Sequence, residues 1–195
     1  MKKTMTIIAM TATMVLSTTS GARAVGQRAD QKSGGQNKAN IARKIAELRR
    51  ATNGNQRVSN AINDGYEAFA IPPDVGGTPT TGLGLVGNPT CFDNAAGGMG
   101  VHYVKGVDGV VDASVPEAMV YEITKGRSLK LVGVEYIVPD KLVEAAHPPV
   151  LFGQEFHHHD YLPVYILHVW VRKSNPSGMF ADFNPTVKPC PGPVA

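Results

Sequence analysis

The chain is short of cysteine, of tryptophan and of unbroken apolar sequence, and these scarcities close off classes of function. Two cysteines in 195 residues cannot build a four-thiolate zinc or iron–sulfur site, nor a scaffold held by several disulfides. Without a run of 18 apolar residues, the mature chain has no segment expected to span a membrane. The motifs of nucleophilic catalysis are missing too, since no G-x-S-x-G occurs. Gly97-Gly98-Met99-Gly100 lacks the G-x-G-x-x-G spacing of a dinucleotide loop. Those glycines read instead as a bulge or a place where backbones approach closely. Asp108 and Asp112 do not match a calcium-loop pattern.

Present at the start are the features of a secretory signal over residues 1–24. Lys2 and Lys3 precede a modest apolar run from Ile7 to Leu16, and Ala22-Arg23-Ala24 forms an A-x-A cleavage site. The expected location is therefore secreted or periplasmic. The formal charge of +3 comes from 19 basic and 16 acidic residues. Lys2, Lys3 and Arg23 all lie in the signal, which has no acidic residue. Cleavage leaves a balanced chain, for which no nucleic-acid partner is expected. The balance is uneven along the sequence: eight basic residues face Asp30 and Glu47 in residues 25–57. That pattern fits a solvated helix face. In an exported chain the two cysteines predict a single disulfide, Cys91–Cys190. It closes a loop of about 100 residues, worth roughly 4–5 kcal/mol in the chain-entropy account.

Residues 25–36 are polar and glycine-containing and are expected to be a disordered tail. Residues 37–195 are read as one globular domain: helical over 37–70, a Pro/Gly-rich loop over 71–90, and sheet over 91–190. Ile41, Ile45 and Leu48 form a first helical stripe and Val58, Ile62, Tyr66 and Phe69 a second, ended by Gly65 or by the Pro72-Pro73 pair. The TNGNQ run between them leaves open one bent helix or two. Strand texture follows in Met99–Val104, Ala118–Thr124, Leu129–Val138 and Val164–Lys173. These strands include a tight hairpin and do not alternate with helices, which argues an antiparallel sheet. The expected class is α+β, an N-terminal helix or helix pair packed on a curved antiparallel sheet or small barrel.

The blocks GGMGVHYV, LVGVEYIVP, LFGQ and LHVWVRKSNPSGMFADFNP resemble those of an uncharacterised family of exported bacterial proteins. The likeness runs from about Ala51 to Cys190. It implies a bacterial source and brings no activity or catalytic residue with it.

The chemistry-bearing residues gather in His102, Glu135 and His168, each in the middle of a different strand. Alternation places Glu135 with Leu129, Leu131, Gly133 and Ile137, and puts Lys130 on the opposite face. A carboxylate among leucines must be paired, metal-bound or protonated. Both histidines lie on strands that are apolar on both faces, so alternation does not assign them a side. If the three converge, they suit a divalent metal such as Zn²⁺ or Fe²⁺, with a coordination position left open. They would equally suit the polar lining of a pocket for a small organic ligand, an acid–base pair, or a buried Glu–His hydrogen-bond network. His157, His159 and Asp160, with His147 nearby, form a weaker metal-binding candidate in an exposed loop. The expected role is ligand or metal binding in a sheet-lined pocket covered by the 71–90 and 140–163 loops. An enzyme using the same trio and an interaction module are the alternatives.

Overall fold

The computed structural model describes residues 37–71, 80–144 and 147–194. The signal segment, the polar tail and residues 72–79 of the Pro/Gly-rich loop lie outside the described residues. The chain divides into two compact units, Met1–Ala39 and Asn40–Ala195. Of the first, only residues 37–39 are described, as helix. The following concerns the second.

The N-terminal region is a pair of helices. Helix α1 (residues 37–51) buries Ile45 and Leu48, the face its stripe predicts. It ends where Thr52 turns its hydroxyl back onto the Leu48 carbonyl, at 2.8 Å. A short 3₁₀ turn over Gly54–Gln56 leads to α2 (Val58–Asn63). The second stripe does not continue as helix to Phe69. Helix α2 is only six residues long and buries Ala61, while Ile62 stays exposed. Gly65 takes a left-handed conformation (φ 88°) and the Tyr66 amide donates to the Ala61 carbonyl. This is a helix stop that a glycine adopts at little cost. Beyond it the chain is not helical: strand β1 (Glu67–Ala68) pairs with the edge of the sheet, and the Phe69 amide donates to the His102 carbonyl.

The main sheet is antiparallel throughout. Its remaining strands are β2 (Cys91–Asn94), β3 (Gly97–Val104), β4 (Ala118–Ile123), β5 (Leu129–Pro139), β8 (His157–His158) and β9 (Val164–Val169). The order is β1-β3-β4-β5-β9-β8, with β2 sharing the outer edge of β3 with β1. Strands β6 (Val150–Leu151) and β7 (Gln154–Glu155) form a separate small hairpin. Among the described residues no ladder joins β8 to β1 or β2, so the sheet is open rather than a closed barrel. It is nevertheless strongly curved. Flat, six ranks at the usual spacing would hold the edges about 24 Å apart. Yet Phe92 in β2 and His157 in β8 line one cavity of about 830 Å³.

Two bulges set which side chains share a face. In β5, Val120 pairs with Gly133 but Tyr121 pairs with Leu131, leaving Val132 as the extra residue. The alternation is therefore reset in the middle of the strand. Leu129 and Leu131 join Val134, Tyr136 and Val138 on the core face, against α1 and α2. Glu135 faces the other way, with Lys130, Val132 and Ile137. The expected grouping of Glu135 with the two leucines, opposite Lys130, is thus wrong. A second irregularity, at Met99 and Gly100, separates the pairs Phe92–Gly100 and Asp93–Gly98 in the β2–β3 hairpin.

The second face is covered at one end by the C-terminal tail. Val187 packs with Val120, Val132 and Trp170. The Asn175 and Asn184 side-chain amides tie this tail down by donating to the Phe183 and Ser174 carbonyls. Cys190 is bonded to Cys91, and its amide donates to the Asp93 carboxylate at 2.7 Å. The tail's path also explains the glycine cluster. A Cβ on Gly97 would lie 2.4 Å from the Asn184 backbone, and one on Gly98 would lie 2.7 Å from the Lys188 carbonyl oxygen. Close backbone approach is the role of both glycines. The other end of this face stays open, and there the sheet encloses the cavity.

Candidate metal centre and cavity

His102 on β3, Glu135 on β5 and His168 on β9 all point to the second face of the sheet. Glu135 and His168 are direct cross-strand partners in the β5–β9 ladder. His102 reaches across an intervening strand. Backbones two strands apart are about 10 Å apart, but Ala118 lies opposite Glu135 on β4 and its methyl leaves the space free. The His102 Nε2 and a Glu135 carboxylate oxygen come within 3.7 Å. The other Glu135 oxygen is 3.9 Å from His168 Nδ1. One ligand atom from each residue falls within a common 4.8 Å.

Packing holds both rings. His168 is fully buried and stacks on Trp170 at 4.6 Å between centroids. Its Nε2 lies over Gly133, where a Cβ would stand 3.1 Å away. His102 meets the edge of Phe92 at 5.5 Å and lies roughly perpendicular to His168. Hydrogen bonds hold neither ring. Among the described residues, all four buried ring nitrogens of the two histidines lack a hydrogen-bond partner. The distances to Glu135 exceed those of hydrogen bonds, and two buried imidazoles left unsatisfied are costly.

Burial governs protonation at this point. It lowers His102 to about 3, with His168 adding to the effect, and lowers His168 to about 4 against the attraction of Asp182. It raises Glu135 to about 8, with the Asp182 carboxylate adding to it. Without a cation the group is therefore two neutral imidazoles and a protonated carboxyl at neutral pH, rather than an ion pair.

The set fits a divalent transition metal in donor type and count. Tetrahedral ligand atoms about 2.1 Å from a zinc ion are about 3.4 Å from one another. The observed separations need only a modest inward movement of side chains. The nitrogens turned away from the centre have no protein acceptor, whereas metal-bound histidines generally donate to one. Ring stacking supplies the orientation instead.

The cavity opens from this point. His102 and Glu135 form its buried floor, and His157, His158, Asp160 and Tyr161 its exposed rim. The weaker loop residues do not gather into a second centre. His157 bonds Asp182 at 3.0 Å and His158 bonds Asp140 at 2.8 Å. The bond to Asp182 holds His157 above its usual value. His159 accepts the Tyr161 and Leu162 amides on Nδ1, which places any proton of the neutral ring on Nε2. His147 lies against Glu144 at 3.5 Å, exposed and away from the cavity lining. Of the covering loops, residues 157–163 line the cavity, and so does Ile71. Leu83, from the same Pro/Gly-rich stretch, is buried in the core instead.

Asp182 escapes sequence reasoning, because nothing in FADF signals that the tail returns to β8. Phe92, Met99 and Ile166 are missed for a related reason: only the register shows that they share the face of Glu135.

No helix among the described residues is long and apolar enough to cross a membrane. No protein-family model, curated protein or solved structure matches this chain.

Proposed function

We propose that this protein binds one divalent transition-metal ion through His102, Glu135 and His168, with the open side of the ion facing the cavity. The observation that carries the reading is the convergence of one ring nitrogen each from His102 and His168, buried and unpartnered among the described residues, on the buried Glu135 carboxylate. Buried polar groups are nearly always paired, and a bound ion is one of the few things that accounts for such exceptions. A two-histidine, one-carboxylate donor set suits Zn²⁺ or Fe²⁺, and a cavity above it gives room for a small organic ligand. A bound ion would supply Lewis acidity at the floor. The chain's own residues would hold it, exclude water and shape the space above it. Export to an oxidising compartment, in line with the N-terminal signal features and the resemblance to exported bacterial proteins, is supported by the Cys91–Cys190 bond.

A second reading has its own support. With Glu135 raised to about 8, its carboxyl can donate a hydrogen bond to an organic ligand in a metal-free pocket. Elemental analysis of full-length protein purified without a histidine tag separates the two. The metal reading expects about one equivalent of ion, lost in His102→Ala and retained when His157 and His159 are both replaced by alanine. Metal-free protein that cannot be loaded, or metal lost only with the loop histidines, overturns it.

A further inference from the structure

The cavity's walls restrict what can reach the floor. Around His102 and Glu135 the lining includes Phe69, Phe92, Met99, Val104, Ile137 and Ile166, while His157, His158, Asp160 and Tyr161 are exposed at the rim. Among the described residues that line it there is no lysine or arginine, while Asp93, Asp160 and Asp182 are present. Asp93 accepts the Cys190 amide and Asp182 pairs with the rim imidazole of His157, and no lysine or arginine of the lining offsets any of the three. With a divalent ion on two neutral imidazoles and one carboxylate, the floor would carry a single net positive charge. Among the described lining residues the rim imidazoles of His157 and His158 are already paired with Asp182 and Asp140, so the floor is the place in the cavity best suited to an anionic oxygen.

We propose that the ligand is an apolar-bodied monoanion: a single oxygen-donor head group, of carboxylate or hydroxamate type, on a hydrocarbon or aromatic body. Its head would meet the ion and its body would lie against the apolar wall. Phosphate esters and other dianions are disfavoured by the aspartates and by the lack of basic side chains. This inference rests on the metal reading, which supplies the positive charge. The size of the cavity, about 830 Å³, is within the range that encloses a drug-sized molecule.

The test is calorimetric titration of the Zn²⁺-loaded full-length protein with acetohydroxamate, octanohydroxamate and octyl phosphate. The six additional methylenes should tighten octanohydroxamate over acetohydroxamate by about 100-fold or more. Octyl phosphate should bind at least about 10-fold more weakly than octanohydroxamate. Ile137→Ser, on the wall, should lower octanohydroxamate affinity several-fold while leaving Zn²⁺ content and acetohydroxamate affinity unchanged. Equal affinity for the two hydroxamates, or tight binding of octyl phosphate, overturns the ligand assignment and leaves the metal reading standing. Protein that takes up no Zn²⁺ overturns both.

Discussion

Two glutamates on the same face of the same sheet are treated in opposite ways. Glu122 on β4 is buried, but Lys173 meets both carboxylate oxygens at 2.8 Å and the Lys188 amide donates to one of them at 3.0 Å. These contacts outweigh its burial and keep its carboxyl below the usual value. Glu135 on β5 is equally buried, with two neutral rings beside it, and burial drives it up to about 8. A third buried carboxylate, Glu117, stands between them: it accepts the Ile137 amide at 3.1 Å and is raised to about 7. The fold supplies a cation to Glu122 and a backbone amide to Glu117. At Glu135 it supplies imidazoles and an open cavity, an arrangement that the proposed metal ion would complete.

The contrast can be broken most sharply through metal affinity. His102→Ala should weaken Zn²⁺ binding by more than about 100-fold, since loss of a ligand should exceed the 10–100-fold effect of losing an outer partner. Glu122→Gln should leave it unchanged, as measured by chelator competition. Next in size is stability, where the two glutamates should differ in sign. Glu135 holds a proton in the folded state up to about pH 8 that the unfolded chain loses near its ordinary value. Its contribution therefore falls as pH rises between those two values. Metal-free Glu135→Gln should be more stable than the parent at pH 8 by about 1–3 kcal/mol in urea unfolding, and close to it below pH 4.5. Glu122, whose value is lowered, contributes stability above its unfolded value and loses it as pH falls through the folded one. Glu122→Gln should accordingly cost about 1–3 kcal/mol at pH 7.

Proton release sharpens the comparison further. Zn²⁺ must displace the Glu135 proton, so about one proton should leave per ion bound at pH 7, fading as pH rises beyond about 8. Titrations in buffers of different ionisation enthalpy measure this directly. The smallest effect is expected from Gly133→Ala. Its methyl would press on His168 Nε2 and the Val169 carbonyl oxygen, each 3.1 Å away. The result should be about 10-fold weaker metal binding with the fold retained, read by chelator competition and circular dichroism.

Much of this arrangement is legible in the sequence. Hydrophobic runs and turn residues identify the strands, and two cysteines in a chain with signal features identify the disulfide. A glutamate in an apolar strand marks itself, because its burial has to be compensated. What alternation cannot supply is phase across a bulge. Val132 inverts the pattern within LKLVGVEYIV, so Glu135 is buried on the face opposite the leucines that made its burial predictable. For the second helix the sequence offers two ends, Gly65 and Pro72-Pro73, and the apolar spacing through Phe69 does not choose between them; the structure ends it before Gly65. The tail is harder still. Gly97 and Gly98 signal that some backbone comes close, but only the structure identifies it as Asn184–Lys188 and brings Asp182 to the cavity.

The most direct test is an anomalous-difference map at the zinc edge, from crystals of the full-length protein grown with Zn²⁺. The account predicts one strong peak about 2.1 Å from His102 Nε2, a Glu135 carboxylate oxygen and a His168 ring nitrogen. A peak at His157 or His159 with none between β3, β5 and β9, or no peak at all, would contradict it.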